Sequence, residues 1–406
     1  MTDVFLHVGL AKTGTTTIQG ALEAAAGRLA EEGVLFPGGS HRAQRLAVYD
    51  LLGQRVSGED DARVAGSLGR LVAEIGAHRG PAVVVSEEEL SLARPRHVRM
   101  LSRALAGHRV VVVVGVRDMA RTLVSAWQQT VVNGGTTRWP DFVRSVRGEP
   151  GAPPSEGISF WLRHDLLRVV DTWAGAVPVE EVRLVTVPPP GAPSGELLAR
   201  FGAAAELPAP AWPGERVVAR NVSLGAAELE AVRRLNVAVA GSLNTSQHRF
   251  VVEAGIRARL AGTSGRPLVL PAEHRTWAQA YGRDLVTELE RRGLAVHGCL
   301  GDLVPPPLAD RDDPPDHVEP ADLLAATEAA LASLALDHGR LFRRYRRAFA
   351  AREGHLPGPV EVLGSEARAA GFRLRKWALH RTDRSAVAAA VARSYVDRTS
   401  RSRPGR

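Results

Sequence analysis

The chain has 406 residues, 45% of them hydrophobic, which is enough to bury a sizeable core, and carries a formal net charge of +8. Its apolar runs fall short of the ~20 residues that a membrane helix needs, and it enters a strand pattern at once without the basic region and cleavage site of a secretory leader, so a cytoplasmic protein is expected. A single cysteine, Cys299, excludes internal disulfides and a cysteine-based zinc cluster; it reads as a small half-buried residue.

The predicted elements begin with a strand over Val4–Val8, a glycine-containing loop, and a helix over Thr16–Leu29 with Ile18, Leu22, Ala25, Ala26 and Leu29 at helical spacing. Helical patterns follow near 42–52 and 62–77. A second strand, Ala82–Val85, runs into Ser86-Glu87-Glu88-Glu89, and a third covers Arg109–Val116. Val182–Val187 is the fourth. Strands this uniformly β-branched are apolar on both faces, as a parallel sheet covered by helices requires. Gly/Pro-rich breaks fall at 148–157, 188–195 and 205–214, and helices are expected over 223–236 and 277–292. Residues 304–316 hold five prolines and four aspartates and read as a linker. Beyond it lie a long Ala/Leu/Arg helix over 321–350 and a mixed helical segment over 366–400. The expected partition is an α/β domain over 1–304, a linker over 305–317, and a basic helical C-terminal extension over 318–406.

The charge is not spread evenly. Residues 341–406 carry 16 Lys or Arg against 5 Asp or Glu, so the rest of the chain is slightly acidic. That segment lacks the aromatic interleaving of a base-stacking surface, so no nucleic-acid partner is expected. It reads as a solvated basic tail, with peripheral contact to an anionic surface as a use its charge permits. Of the 52 basic residues only Lys12 and Lys376 are lysine. A composition that has replaced nearly every lysine by arginine keeps one in the glycine loop, where a compact point charge fits and a planar guanidinium does not.

That loop is Leu10-Ala11-Lys12-Thr13-Gly14-Thr15-Thr16-Thr17. A glycine-rich turn between a strand and a helix turns backbone N–H groups and the positive end of the helix onto one anion. In the common nucleotide-binding loop a lysine follows the second glycine and a metal-ligating hydroxyl follows the lysine. Here Lys12 precedes Gly14, and three threonines follow, which favours a phosphate cradle that needs no metal.

The segment Ala11-Lys12-Thr13-Gly14-Thr15-Thr16-Thr17 resembles the first signature of the PAPS-dependent sulfotransferases, bacterial and carbohydrate-acting members in particular, departing in Ala11 where the family has proline. A second signature is matched by Arg117 at the end of the valine strand and Ser125 eight residues on, with Arg121 one turn below Ser125. Further similarity appears in Asn221-Val222-Ser223-Leu224, Leu235-Asn236, His297-Gly298 and Gly301-Asp302-Leu303, so the resemblance spans residues 4–304.

The resemblance implies a three-layer fold of the P-loop NTPase kind with a central parallel sheet, and the donor PAPS with no metal. It implies that Ala11 to Thr17 hold the 5′-phosphosulfate, that Lys12 stabilises the bridging oxygen, and that Arg117 and Ser125 hold the 3′-phosphate. In carbohydrate-acting members the general base is a glutamate after the second strand. Glu87 is the first choice for that role and Glu88 the second, since a one-residue slip exchanges them. His41 stands where relatives have a histidine near the acceptor, and Arg216, Arg220 and Asn221 are candidates to close over the nucleotide. The acceptor would be a small molecule or glycan, held by the loops over 37–60, 86–100 and 130–165. The alternative is an ATP- and magnesium-dependent kinase or NTPase with Asp118 serving the metal.

Overall fold

Valine builds the centre of the molecule. The computed structural model describes residues 1–54, 61–209, 211–212, 224–257, 260, 268–306 and 314–352. Its strands are β1 (Asp3–His7), β2 (Val34–Leu35), β3 (Ala82–Ser86), β4 (Arg109–Val116), β5 (Val182–Thr186) and β6 (Ala295–His297). They form one sheet in the order β2-β3-β1-β4-β5-β6, parallel at every pairing. Four of the six match the expected strands to within a residue. β2 and β6, of two and three residues, are too short for any periodicity to register.

The helices are α1 (Thr15–Glu31), α2 (His41–Leu52), α3 (Asp61–Val64), α4 (Ser67–Ala77), α5 (Pro95–Ala104), α6 (Met119–Val132), α7 (Trp139–Val146), α8 (Pro154–His164), α9 (Leu166–Ala174), α10 (Glu196–Ala204), α11 (Ala226–Ala238), α12 (Thr245–Arg249), α13 (Ala272–Arg292) and α14 (Pro320–Arg352). A π-helical turn covers Phe250–Arg257. The helix expected over 62–77 is two pieces, because Gly66 at φ 73° breaks it. The Gly/Pro-rich stretch 148–157 is a loop only in part, since Pro154 opens α8 from a position where its missing N–H costs nothing. The helix expected over 366–400 lies outside the described residues.

Successive strand residues point to opposite faces, and both faces are covered. Val4, Leu6, Val83, Val85, Val112 and Val114 pack against α2, α4, α5 and α9. Phe5, Val84, Val111 and Val113 pack against α1 and α10. The result is an α/β arrangement compatible with three layers. A separate cluster built on Trp127, Trp139, Phe142 and Phe160 joins α6, α7 and α8 to α11 and α13.

The chain divides into two compact units, Met1–Leu334 and Ala335–Arg406, whereas the sequence points to a boundary within 305–317. Small residues are the reason. Ala326 is buried, Ala329 and Ala330 pack on the tryptophan cluster, and Ser333 donates a hydrogen bond to the Gly255 carbonyl at 3.0 Å, so the start of α14 belongs to the first unit. In the second unit, residues 335–352 are helical. No helix among the described residues is long and apolar enough to cross a membrane. Cys299 is exposed, not half-buried as expected, because it sits in the turn between β6 and the short 3-10 turn Leu300–Leu303.

Candidate functional site

The site lies at the carboxyl ends of β1, β3 and β4. After β1 the chain adds strands on one side, at β3 and β2, and then on the other, from β4 to β6. Such a reversal leaves a crevice above the strand ends, where ligands of open parallel sheets collect.

The loop after β1 is pinned to β4. Val8 N donates to Val113 O at 2.9 Å and Leu10 N to Gly115 O at 3.1 Å. The buried Thr13 hydroxyl donates to Leu10 O at 2.6 Å. Gly115 permits this close approach, because a Cβ there would meet Thr13 Oγ1 at 2.7 Å. Lys12 adopts φ 69°, a left-handed backbone that costs a non-glycine residue about 1–2 kcal/mol. Its Nζ donates to Gln129 Oε1 on α6 at 2.6 Å. Gly14, at φ 83°, caps α1 without a side chain, so the orphan N–H groups of the first turn meet the cavity lined by Gly14, Thr15 and Thr16.

That cavity, of about 620 Å³, is lined by Ala11, Lys12, Gly14, Thr15, Thr16, Glu88, Glu89, Arg117, Ser125, Gln129 and Arg163 among others. Thr13 and Thr17, both expected to hold phosphate, are not part of its wall: the Thr13 hydroxyl is turned inward to its own loop. Arg117 follows β4, and its Nη1 donates to Ser125 Oγ at 3.2 Å and to Lys12 O at 3.3 Å. Its Nε is buried without a partner, and burial, with Arg121 nearby, lowers its pKa to about 10. A guanidinium held this way favours an anion beside it. Arg121 turns away from Ser125. It pairs with Asp118 and donates to Pro188 O at 2.7 Å, while Asp118 caps α6 by accepting from Arg121 N at 2.9 Å. Asp118 is therefore buried and already engaged.

On the β3 side a single residue of register separates two environments. Glu87 N donates to His7 O at 3.1 Å, extending the sheet pairing by one residue. The Glu87 side chain is 1% exposed and points to α2, where His41 Nε2 lies 2.7 Å and Arg45 Nε 3.6 Å from its Oε2. The His41 approach lacks the alignment of a hydrogen bond, and Oε2 has no hydrogen-bond partner. Neither Glu87 nor His41 lines the cavity. Glu88 does, and its Oε2 accepts from the Thr15 hydroxyl at 2.9 Å. Glu89 lines it too. Burial first, then Glu88 and Glu87, raise its pKa, and Arg163 works against them.

Several supporting residues escape a reading by motif. Gln19 and Gln44 bracket Ser86, one donating to its carbonyl at 3.2 Å and the other accepting from its N–H at 2.8 Å. Gln129 and Arg163 also line a second cavity of about 310 Å³, which meets the first at Lys12. Only Gly115 carried a signal, as a lone glycine inside a β-branched run. The other resembling segments have structural work. Asn236 donates to Val131 O and Gly135 O at the end of α6, and Asp302 pairs with Arg200 and accepts from Thr186 at 2.8 Å. Arg216, Arg220 and Asn221 lie outside the described residues. Among those residues no group of three or more His, Cys, Asp or Glu side chains is placed to hold a metal ion.

Fold and site together define an α/β protein with a cavity at the ends of adjacent parallel strands, lined by Lys12, Arg117 and the start of α1 on one side and by Glu88 and Glu89 on the other. Comparisons of the chain with protein-family models, with curated proteins and with solved structures gave no match.

Proposed function

We propose that the chain is a PAPS-dependent sulfotransferase on a fold of the P-loop kind, moving a sulfuryl group to a hydroxyl or amine of a carbohydrate or glycoconjugate. The observation that carries this reading is that Arg117 and Ser125, in contact at 3.2 Å, line the same cavity as Lys12, Gly14, Thr15 and Thr16. Two anion-binding groups on one cavity suit a nucleotide phosphorylated at two positions, and the volume is in the range of ligand pockets. The partnerless Nε of buried Arg117 fits the added phosphate.

When bound, PAPS supplies an activated sulfuryl group. Gly14, Thr15, Thr16 and the start of α1 would hold the 5′ end, Arg117 and Ser125 the 3′-phosphate. Lys12, fixed across the cavity by Gln129, provides a point charge where negative charge develops. Glu88, unlike Glu87, faces the cavity, and in this reading it accepts the proton lost by the acceptor. Buried Glu87 and half-buried His41 then act as a pair that fixes the end of β3 against α2.

The alternative, an ATP- and magnesium-dependent kinase or NTPase, assigns the metal to Asp118, whose carboxylate is committed to Arg121 and the α6 cap. Thermal unfolding separates the two. Stabilisation by 3′-phosphoadenosine 5′-phosphate without magnesium supports the sulfotransferase, and a response to Mg-ATP alone overturns it.

A further inference from the structure

The second unit opens with a feature that the catalytic reading does not use. Over residues 335–352, which span about 27 Å as a helix, the large apolar side chains Leu336, Leu341, Phe342, Tyr345 and Phe349 are 52%, 51%, 58%, 63% and 46% exposed. At 100° per residue the last four occupy one arc of about 100°, with Leu336 alone on the other side. The Tyr345 and Phe349 rings stack at 6.1 Å, so the stripe is continuous. Arg340, Arg343, Arg344 and Arg347 fall on the opposite arc and Arg346 on its flank. The segment's one acidic residue, Asp337, is paired with Arg340 at 3.0 Å.

We propose that this helix is a docking face for an anionic lipid surface, lying in the plane of the headgroups with Leu341, Phe342, Tyr345 and Phe349 below them and the arginines among the phosphates. Charge complementarity selects the occupant. A second copy meeting it stripe to stripe would bury the rings and leave both sets of arginines facing water, matched by no opposite charge. A nucleic acid would neutralise the arginines and leave the apolar stripe in water. An anionic bilayer satisfies both arcs at once: arginine stems run along the apolar boundary with their heads in the phosphate layer, and aromatic side chains enter the acyl boundary. Each arginine near such a surface raises binding about fivefold.

The proposal does not depend on the sulfotransferase reading. Its test is flotation of the full chain with vesicles of phosphatidylcholine alone, or with about one third phosphatidylglycerol. The expected result is binding to the anionic vesicles only, weakened by salt. Phe342→Glu with Phe349→Glu should reduce partitioning at least about tenfold, and Phe342→Trp with Phe349→Trp should preserve it. Arg343→Gln with Arg347→Gln should reduce it about 25-fold, by the same per-residue factor. Unfolding temperature is measured on each variant to show that the first unit is intact. No flotation with anionic vesicles overturns the proposal. Binding indifferent to the glutamate pair overturns it in favour of a general polyanion surface, and a self-association lost in the glutamate pair overturns it in favour of a second copy.

Discussion

The two walls of the main cavity are built on different physical terms. On the β1–β4 wall, position is set by backbone that only a few residues tolerate: Lys12 and Gly14 at positive φ, Gly115 under Thr13, and Arg117 at the point where β4 ends. On the β3 wall, position is set by phase. Glu87 continues the strand and is buried against His41, whereas the next residue turns into the cavity. A wall fixed by special backbone can be read from residue types. A wall fixed by phase changes its whole chemistry with a one-residue shift in where the strand stops.

The largest expected effect tests the first wall. On the proposed sulfotransferase reading, Lys12→Ala should lower sulfuryl transfer by about 10²–10³ in kcat. Its stability cost should stay near 1 kcal/mol, for the lost bond to Gln129, because alanine inherits the same left-handed backbone. Full activity in this variant would remove Lys12 from the chemistry. Lys12→Arg should be nearly as damaging, since a planar fork does not replace a point charge.

The second wall is broken by exchanging its two glutamates. Glu88→Gln should lower kcat by about 10²–10³ with little change in unfolding temperature, because glutamine still accepts from Thr15. Glu87→Gln should do the reverse. It leaves His41 and Arg45 without a carboxylate and lowers stability by about 1–3 kcal/mol. If the Glu87 variant is the inactive, stable one, the cavity wall in the working protein is one residue out of phase with this structure.

A smaller effect sharpens the β1–β4 wall. Arg117→Ala should weaken 3′-phosphoadenosine 5′-phosphate by about 10- to 100-fold, and Ser125→Ala by about fivefold. Adenosine 5′-phosphosulfate, which lacks the 3′-phosphate, should bind both variants as it binds the parent. Equal losses for both nucleotides in calorimetric titration would mean that Arg117 holds the loop through the Lys12 carbonyl and does not read the ligand.

The same contrast explains what was legible in the sequence. The four valine-rich strands, the loop and the Arg117–Ser125 pair were readable, because β-branching, glycine placement and an eight-residue interval are local quantities. The orientation of Glu87 was not, since it depends on the sheet pairing that carries Glu87 N to His7 O. Gln44, Gln129 and Arg163 were not, because they reach the site from α2, α6 and α8 through contacts that no local pattern encodes. The division into compact units at Leu334 was not legible, for the opposite reason. The proline-rich stretch looked like an end, while the small residues that dock the start of α14 looked like any alanine-rich helix.

Two buried histidines flank the site, one bonded to β3 and one beside Lys12. His7 on β1 is hydrogen-bonded to Ser86 Oγ at 2.7 Å, and His164, at the end of α8, lines the second cavity beside Lys12. Burial lowers both pKa values to about 3, Arg163 and Lys12 adding to the effect at His164. Unfolded, each would titrate near 6.5, so below that pH the unfolded chain binds protons that the folded chain refuses. Stability is therefore full above pH 6.5 and falls as pH drops, by up to about 1.4 kcal/mol per pH unit for each histidine. Urea unfolding between pH 6.5 and 5, above the main carboxylate range, should show this slope, and His7→Gln and His164→Gln should each flatten it. A slope that responds to His7 and not to His164 would mean that the lysine wall opens to water under mild acid while the β3 wall stays shut.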